Sequence, residues 1–413
     1  MSVFALDPLL DKIDLGVFLA VVLKVVVAFA LLMVAVMFMI WFERKIIADM
    51  QNRIGPNRAG PFGLLQTLAD GIKLFFKEDL VPERSEPFVF KLAPYLSLVP
   101  AFLTFCVVPI GGHFADRHDG TISLAGHRTF LQLADPPIGL LLVLAMSSLA
   151  VYGVMLAGWS SGSKYPLLGS VRASAQMISY EAALGMSVAA VALVSSTLST
   201  HGMVISQGRA ETWNIFQTLR GWNIVATGFV PFVIFLIAAT AELNRPPFDL
   251  VEAEQELVGG FHTEYSSIRF ALFYLAEFMN TVTMSGIIVT LFLGGPLPLV
   301  PIFSFLPGWL EGIVWFLIKL LGFLFTYVWF RATLPRLRYD QLMNLGWKVL
   351  IPLSFGWFIV LAGLRLGRDH DWETSTWIIA GLLTLAVAGV CWLMLTAALD
   401  VARRNREAGR SAF

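Results

Sequence analysis

The sequence predicts an all-α integral membrane protein with about nine spanning helices, on the strength of three observations. Of the 413 residues, 57% are hydrophobic and only 14% are charged, whereas soluble domains carry roughly 25% charged residues. The mean hydropathy is +0.73. Long apolar runs recur along the chain, and each has the roughly 18 or more residues that a helix needs to cross a hydrocarbon core about 30 Å thick.

Nine apolar runs are predicted to span the membrane. They cover residues 15–42, 89–111, 135–158, 176–199, 223–243, 267–293, 310–333, 345–366 and 375–400. The first run is too long for the core of a signal peptide and ends in Glu43, Arg44 and Lys45, so we expect the chain to retain it. It also carries Lys24, to which the pattern assigns no role.

The distribution of lysine and arginine predicts the orientation of the chain. Formal charge is balanced at 29 basic and 29 acidic residues, so no net field favours nucleic acid. If the connector after the first span is cytoplasmic, the cytoplasmic segments hold 19 lysines and arginines and the outer segments hold 7. Because basic residues concentrate on the cytoplasmic side, the N-terminus is predicted outside and the C-terminus in the cytoplasm.

An amphipathic helix is predicted to lie on the cytoplasmic membrane surface over residues 61–78, after turn signals at Gly55-Pro56 and Gly60-Pro61. Its apolar side carries Leu65, Leu68, Ile72 and Phe75, and its polar side carries Gln66, Asp70, Lys73 and Lys77. Such a pattern suits a helix that lies flat at the interface. Periodicity alone makes Asp70 a surface partner of Lys73.

The stretch 242–265, ELNRPPFDLVEAEQELVGGFHTEY, concentrates carboxylates at the membrane boundary. It holds Glu242, Asp249, Glu252, Glu254, Glu256 and Glu264, with Arg245 as its one lysine or arginine. Neighbouring acids raise one another's pKa values, and burial raises them further. The stretch is either a solvated acidic loop or a set of proton-exchanging carboxylates, and the pattern favours the second interpretation.

Charged residues also occur within the predicted spans. Glu181 enters the fourth span, where a carboxylate is costly and by default functional, although a hydrogen-bonded packing role is the alternative. Arg269 and Glu277 lie eight residues apart on one face of the sixth span, either joining helices or continuing the acidic stretch. Lys319 lies in the seventh span without an assigned role. Arg336, in the following connector, and its neighbour Arg338 would hold lipid headgroups or pair with cytoplasmic acids.

The cysteines and histidines favour no redox centre in this chain. Cys106 and Cys391 stand alone in apolar runs, which is neither a disulfide framework nor a metal-binding spacing. The six histidines fall in connectors or at the ends of runs, whereas a membrane haem needs axial ligands within helices. We therefore expect neither a metal site nor a catalytic residue of a redox reaction here.

Five strings carry a resemblance to a known family. They are ERK followed by QNRIGPNR, DGIKLFFKED, GSKYPLLGSVRASAQMISYE, the acidic stretch itself, and FRATLPRLRYDQ. In this order they resemble the H subunit of NADH-quinone oxidoreductase, the quinone-site membrane subunit of respiratory complex I, from the first span to about residue 350. The resemblance implies a multi-pass protein of the bacterial plasma membrane that helps to form a quinone chamber and couples quinone reduction to proton translocation.

The resemblance also implies the cofactors and partners. Quinone is the substrate, and FMN and iron–sulfur clusters belong to partner subunits. The partners are the peripheral-arm quinone-site and iron–sulfur subunits, the small membrane subunits, the antiporter-like pumping subunits and membrane lipid.

Matching motif positions transfer the family's functional residues. The chamber and its entrance would be flanked by Glu43, Arg44, Arg53 and Asp70. The acidic path would comprise Glu181, Asp249, Glu252, Glu254, Glu256, Glu264 and Glu277, with Arg269, Arg331 and Arg338 as cationic partners. For Asp70 the resemblance replaces the surface pairing with Lys73 that periodicity favours.

One feature departs from the family pattern, which has eight spanning helices. We therefore expect an eight-helix domain over residues 1–366 and an added helix with a basic cytoplasmic tail over 367–413, which would contact lipid or an accessory subunit. Two other functions stay open at this point. One is the related subunit of a membrane-bound hydrogenase, and the other is a stand-alone transporter with the acids as its ion site.

Overall fold

The computed structural model describes residues 7–11, 14–114, 119–124, 126–208, 215–249, 258–300, 303 and 305–370. Within these residues the chain is mostly helical. In this part of the chain, seven helical segments are long and apolar enough to cross a membrane, which makes the chain a multi-pass membrane protein. The ninth predicted span, 375–400, and nearly all of the predicted unit 367–413 lie outside the described residues.

Six of the seven segments are single helices. They are α1 (Leu15–Met50), α3 (Pro87–Phe105), α4 (Gly139–Ser160), α5 (Lys164–Ser195), α10 (Ser267–Phe292) and α11 (Gly308–Thr333). The seventh runs from Tyr339 to Asp369 and comprises α12 (Tyr339–Leu345), a π-helical turn (Gly346–Leu350) and α13 (Ile351–Asp369). The predicted domain boundary at residue 366 therefore falls inside α13.

The observed surface helix is shorter than the one predicted over residues 61–78. A 3₁₀ turn covers Pro61–Gly63, and α2 covers Gln66–Phe76. The turn needs glycine at position 63, because φ there is +78° and a β-carbon would lie 2.4 Å from the carbonyl oxygen of Pro56. Leu65, immediately before α2, and Leu68, Ile72, Phe75 and Phe76 of α2 are exposed, as a membrane-facing helix requires.

The predicted fifth span, 223–243, is not one continuous helix. It is divided into α8 (Asn223–Ala226) and α9 (Val230–Glu242). Gly228 and Phe229 both have positive φ, and Pro231 stands in the first turn of α9. A left-handed pair followed by proline cannot continue a helix, so the prediction of an unbroken span is wrong.

The connectors on the predicted outer side are more ordered than the sequence indicates. Strands β1 (Thr121–Leu124) and β2 (His127–Phe130) form an antiparallel hairpin, with Thr121 opposite Phe130. This hairpin is the exception to the all-α class. Two short helices, α6 (Thr200–Gln207) and α7 (Ile215–Gly221), lie in the connector after α5.

Lys24, left without a role by the sequence, ties the hairpin to α1. Its Nζ lies 2.9 Å from Asp7 Oδ2 and donates to Thr129 Oγ1 at 2.9 Å. The lysine therefore holds the short 3₁₀ turn before α1 (Pro8–Asp11), α1 and β2 together.

Helix α10 lies at the centre of the described bundle and is the most buried of the long helices. It packs against α1, α3 and α11. Beside it, α3 packs against α4, α4 against α5, and α5 against α9. Charged side chains on α10 are therefore removed from lipid and must find partners within the protein.

Candidate functional site

A cavity of about 460 Å³ opens near the C-terminal end of α1, which is the cytoplasmic end in the predicted orientation. Its wall is formed by α1, the loop after α1, α10 and α11. The lining residues are Ile40, Glu43, Arg44, Ile47, Ala48, Arg53, Ile54, Gly55, Pro56, Tyr274, Phe278 and Arg331. Three of the four predicted chamber residues thus share one cavity, together with one of the predicted cationic partners.

Asp70, the fourth predicted chamber residue, pairs across from α2 to α1. Its Oδ2 lies 2.6 Å from Arg44 Nη1, and its Oδ1 accepts a hydrogen bond from Gln66 Nε2 at 3.1 Å. The surface pair with Lys73 that periodicity favours is not the one that forms. Since Arg44 lines the large cavity, Asp70 lies at its rim, where both side chains are more than one-third exposed.

Glu43 is buried beside two arginines. Its carboxylate accepts from Arg245 Nη1 at 2.6 Å and also from Arg331 Nη1. Arg245 is only 1% exposed, and its Nε lies 3.3 Å from Glu277 Oε1. Burial by itself would lower the pKa of Arg245, but the two carboxylates together outweigh it and raise this pKa above its ordinary value, so the guanidinium stays charged. The result is a chain of ion pairs, Glu43–Arg245–Glu277, that begins at the large cavity and is buried at Glu43 and Arg245 and half-buried at Glu277.

The turn after α9 delivers Arg245 to this position. Asn244 adopts positive φ, and the Pro246-Pro247 bond is cis. Gln176, on α5, holds the turn from both sides, because its Nε2 donates to the carbonyl of Ala241 at 2.7 Å and to that of Phe248 at 2.9 Å.

A second, smaller cavity of about 90 Å³ lies on the other side of this turn, among α3, α4, α9 and α10. Its lining includes the carboxylates of Glu242, Asp249 and Glu277. Glu277 therefore connects the small cavity through Arg245 to Glu43 and the large one. Asp249 is buried and lies 3.1 Å from Arg336 Nη2, so Arg336 rather than Arg338 contacts this acid.

Two adjacent serines of α4 bind two acids of the neighbouring helices. Ser147 Oγ donates to Glu242, and Ser148 Oγ donates to Glu181. Glu242 is buried, and its Oε2 has no hydrogen-bond partner among the described residues. The serine pair thus carries the polar contacts from the small cavity to α5.

Other predicted site residues lie apart from these cavities. Arg269 Nη2 is 2.9 Å from Asp79, so its partner is not one of the predicted acids. Arg338 is exposed at the start of α12, and Glu264 is half-buried in the turn before α10. Glu252, Glu254 and Glu256 lie outside the described residues.

The sequence analysis counted Glu242 among the carboxylates of the acidic stretch and noted Arg245 there, but the motif-matched site residues included neither of them, nor Ser147. Arg245 gave the clearest signal, as the one lysine or arginine in a stretch with six carboxylates. The described residues contain no group of three or more histidine, cysteine, aspartate or glutamate side chains arranged to hold a metal ion.

Comparison with known proteins gives matches over almost the whole chain. A family model described as NADH dehydrogenase matches residues 23–362. The H subunit of NADH-quinone oxidoreductase from Frankia casuarinae is 48% identical over 409 residues, which are 98% of this chain and 85% of that protein.

Two further relatives with the same name agree. The protein of Frankia alni is 49% identical over 407 residues, covering 97% of this chain and 84% of its own length. That of Streptomyces avermitilis is 47% identical over 399 residues, covering 95% and 83%. By this family match and these near-full-length relatives, the chain belongs to the NADH dehydrogenase family and, within it, to the H subunits of NADH-quinone oxidoreductase, which are membrane components of that complex.

Proposed function

We propose that the large cavity is the membrane-side wall of a quinone chamber. One part of its lining is apolar and aromatic, with Ile40, Ile47, Tyr274 and Phe278. The other part carries Glu43 and the arginines. Small-molecule sites combine mostly apolar walls with a few polar groups that fix orientation, and this combination suits a planar ring that bears two carbonyl oxygens.

The rim of the cavity suits entry from the bilayer. The apolar side of α2 is exposed, and Arg44 and Asp70 join α2 to α1 at the rim. A quinone dissolved in lipid would pass the apolar residues of α2 and meet this ion pair before it reaches Glu43. Partner subunits of the peripheral arm would close the chamber on the cytoplasmic side and supply electrons from their iron–sulfur clusters, which FMN feeds.

The coupling proposal depends on one observation, that Arg245 pairs with both Glu43 and Glu277. Reduction of a quinone to a quinol consumes two electrons and two protons, so negative charge develops in the chamber until protons arrive. That charge competes with Glu43 for Arg245 and Arg331. A weaker pair between Glu43 and Arg245 changes the strength of the pair between Arg245 and Glu277, because the three groups interact as one coupled set.

The acids beyond Arg245 would carry the protons. Glu277, Asp249 and Glu242 line a cavity of about 90 Å³, and a water occupies about 30 Å³ of liquid volume, so a few waters fit there. Ser147 and Ser148 then continue to Glu181. We propose that Glu252, Glu254, Glu256 and Glu264 extend this acidic path toward the pumping subunits, while Arg269 and Arg338 position its margins.

The proposed location is the bacterial plasma membrane, with the residues 367–413 at an edge that faces lipid or an accessory subunit. Gentle detergent extraction of this chain from its native membrane tests the proposal. We expect a large assembly with flavin, iron–sulfur signals and inhibitor-sensitive NADH:quinone activity. A small particle without redox cofactors would contradict it.

A further inference from the structure

The outer end of α10 is buried, and side chains of other elements satisfy its carbonyls. Gln207 Nε2, from α6, donates to the carbonyl of Thr290 at 2.9 Å. Asn223 Nδ2, from α8, donates to that of Leu291 at 2.8 Å. The last four carbonyls of a helix lack partners within the helix, and within a membrane no bulk water replaces them. The end of α10 is therefore built to lie away from water.

Lys319 supplies the rest of this cap from α11. Its Nζ donates to the carbonyls of Leu293 at 2.7 Å, Gly295 at 2.9 Å and Leu297 at 2.7 Å. The Nζ also lies 4.4 Å from the centre of the Trp222 ring. Three carbonyls and an aromatic face together form a cage for a cation.

The cage matches the charged form of the lysine. An ammonium has three N–H donors, and three carbonyls accept from it, whereas a neutral amine would leave one carbonyl without a donor. Among the described residues, no carboxylate lies within ion-pair distance of Lys319. The donor count therefore favours the ammonium form of Lys319, a positive charge within the membrane domain that carbonyl dipoles and the Trp222 ring stabilise.

Along α11, Lys319 lies between the outer membrane surface and the acids around the small cavity. Gly308 begins α11, and eleven residues place Lys319 about 16 Å from that end, near the middle of a core about 30 Å thick. Tyr327 follows eight residues later, about 12 Å further along the helix. Tyr327 is buried and within electrostatic range of Glu242, so the acid region begins about two turns from Lys319.

We propose that Lys319 is an electrostatic barrier that keeps protons of the acidic path from leaking to the outer face. Fixed positive charges and oriented dipoles exclude protons and cations from other membrane pores in this way. A unit charge about 12 Å from a proton, at an effective dielectric constant of about 20, corresponds to about a tenfold change in rate. This inference rests on the proposed function, because it takes the acids to carry protons.

The test measures passive leak in the assembled complex. The complex is reconstituted into vesicles, a pH gradient is imposed without NADH or quinone, and its decay is followed with a trapped pH dye. We expect Lys319→Gln and Lys319→Met to accelerate the decay up to about tenfold, and Lys319→Arg to match the unchanged protein. Gln retains two N–H donors for the carbonyls, so Lys319→Gln preserves most of the cage if Lys319→Met does not assemble.

The outcome distinguishes a barrier from a cap. A Lys319→Gln complex that holds the gradient as well as the unchanged protein would overturn the proposal, because the charge would then be dispensable. Adding Glu277→Gln to Lys319→Gln separates the two proposals. If the leak disappears, it runs through the acids; if it persists, Lys319 is a barrier but the acidic path is not the route.

Discussion

Replacing Arg245 with methionine tests the ion-pair chain most directly. The change removes one cation from between Glu43 and Glu277 while keeping an unbranched side chain. Glu43 retains Arg331, but Glu277 loses the contact at 3.3 Å. Breaking a fully buried ion pair by removing one partner costs about 3–5 kcal/mol. The Glu277 side chain is 31% exposed, so the cost here is smaller, and uptake of a proton by this carboxylate lowers it further. A protonated Glu277 no longer responds to charge in the chamber.

The assay compares two activities of the same membranes. We expect Arg245→Met to reduce inhibitor-sensitive NADH:quinone activity by at least about tenfold, a factor equivalent to only about 1.4 kcal/mol. NADH oxidation by a hydrophilic acceptor that bypasses the quinone reports how much complex is assembled. Lys24→Met is the matched control, because it removes a half-buried ion pair with Asp7 far from both cavities. If Arg245→Met retains more than half of the quinone activity per assembled complex, the chain Glu43–Arg245–Glu277 is not needed.

Three further changes probe neighbouring features. Asp70→Asn breaks an exposed pair worth at most about 1 kcal/mol, so the thermal stability of the complex should not change while the KM for quinone rises in steady-state assays. Ser147→Ala removes a donor to Glu242, whose hydrogen bond contributes about 1.5–3 kcal/mol if that acid is charged. Assays in vesicles should then show slower proton pumping, and an unchanged pumping rate would exclude a role for this contact. Burial lowers the pKa of His201 below its ordinary 6.5, so the unfolded chain binds the proton first and stability falls as pH drops below about 6.5. His201→Gln should flatten that fall in thermal unfolding between about pH 5 and 7, and an equally steep fall would refute the assignment.

Apolar runs predicted the positions of α4, α10 and α11 to within about four residues and that of α3 to within about six, because lipid sets both the length and the composition of a spanning helix. Apolar runs do not show where a helix continues beyond the lipid. Helix α1 extends to Met50 rather than 42, and within that extension Glu43 and Ala48 are buried against the protein.

The start of α5 was missed for a different reason. A Gly- and Ser-rich segment is typical of a turn, yet α5 begins at Lys164. Small residues also permit close helix packing. A β-carbon on Gly158 would lie 2.2 Å from Ser170 Oγ, and one on Gly169 would lie 2.8 Å from the backbone of Gly260. Composition alone does not separate a turn from a close contact.

The sequence predicted which residues belong to the candidate site better than it predicted which of them form ion pairs with each other. Glu43, Arg331 and Glu277 were candidates, and the structure brings them near one another. Their link through Arg245 joins positions 202 residues apart, a separation that no local periodicity encodes. The face shared by Arg269 and Glu277 was misleading in the same way, since Arg269 turns to Asp79 and Glu277 to Arg245.

The length of α1 has a consequence for the isoprenoid tail of a quinone. The helix has 36 residues, or about 54 Å at 1.5 Å per residue, against a hydrocarbon core of about 30 Å. Apart from Met50, its exposed large apolar side chains lie between Leu15 and Phe38, a stretch of about 35 Å that is long enough to cross the core with some tilt. The large cavity starts at Ile40, immediately beyond that stretch. In the quinone chamber proposed above, a quinone whose ring reaches Glu43 would therefore keep its tail in the acyl chains, and loading the chamber would not require the tail to enter water.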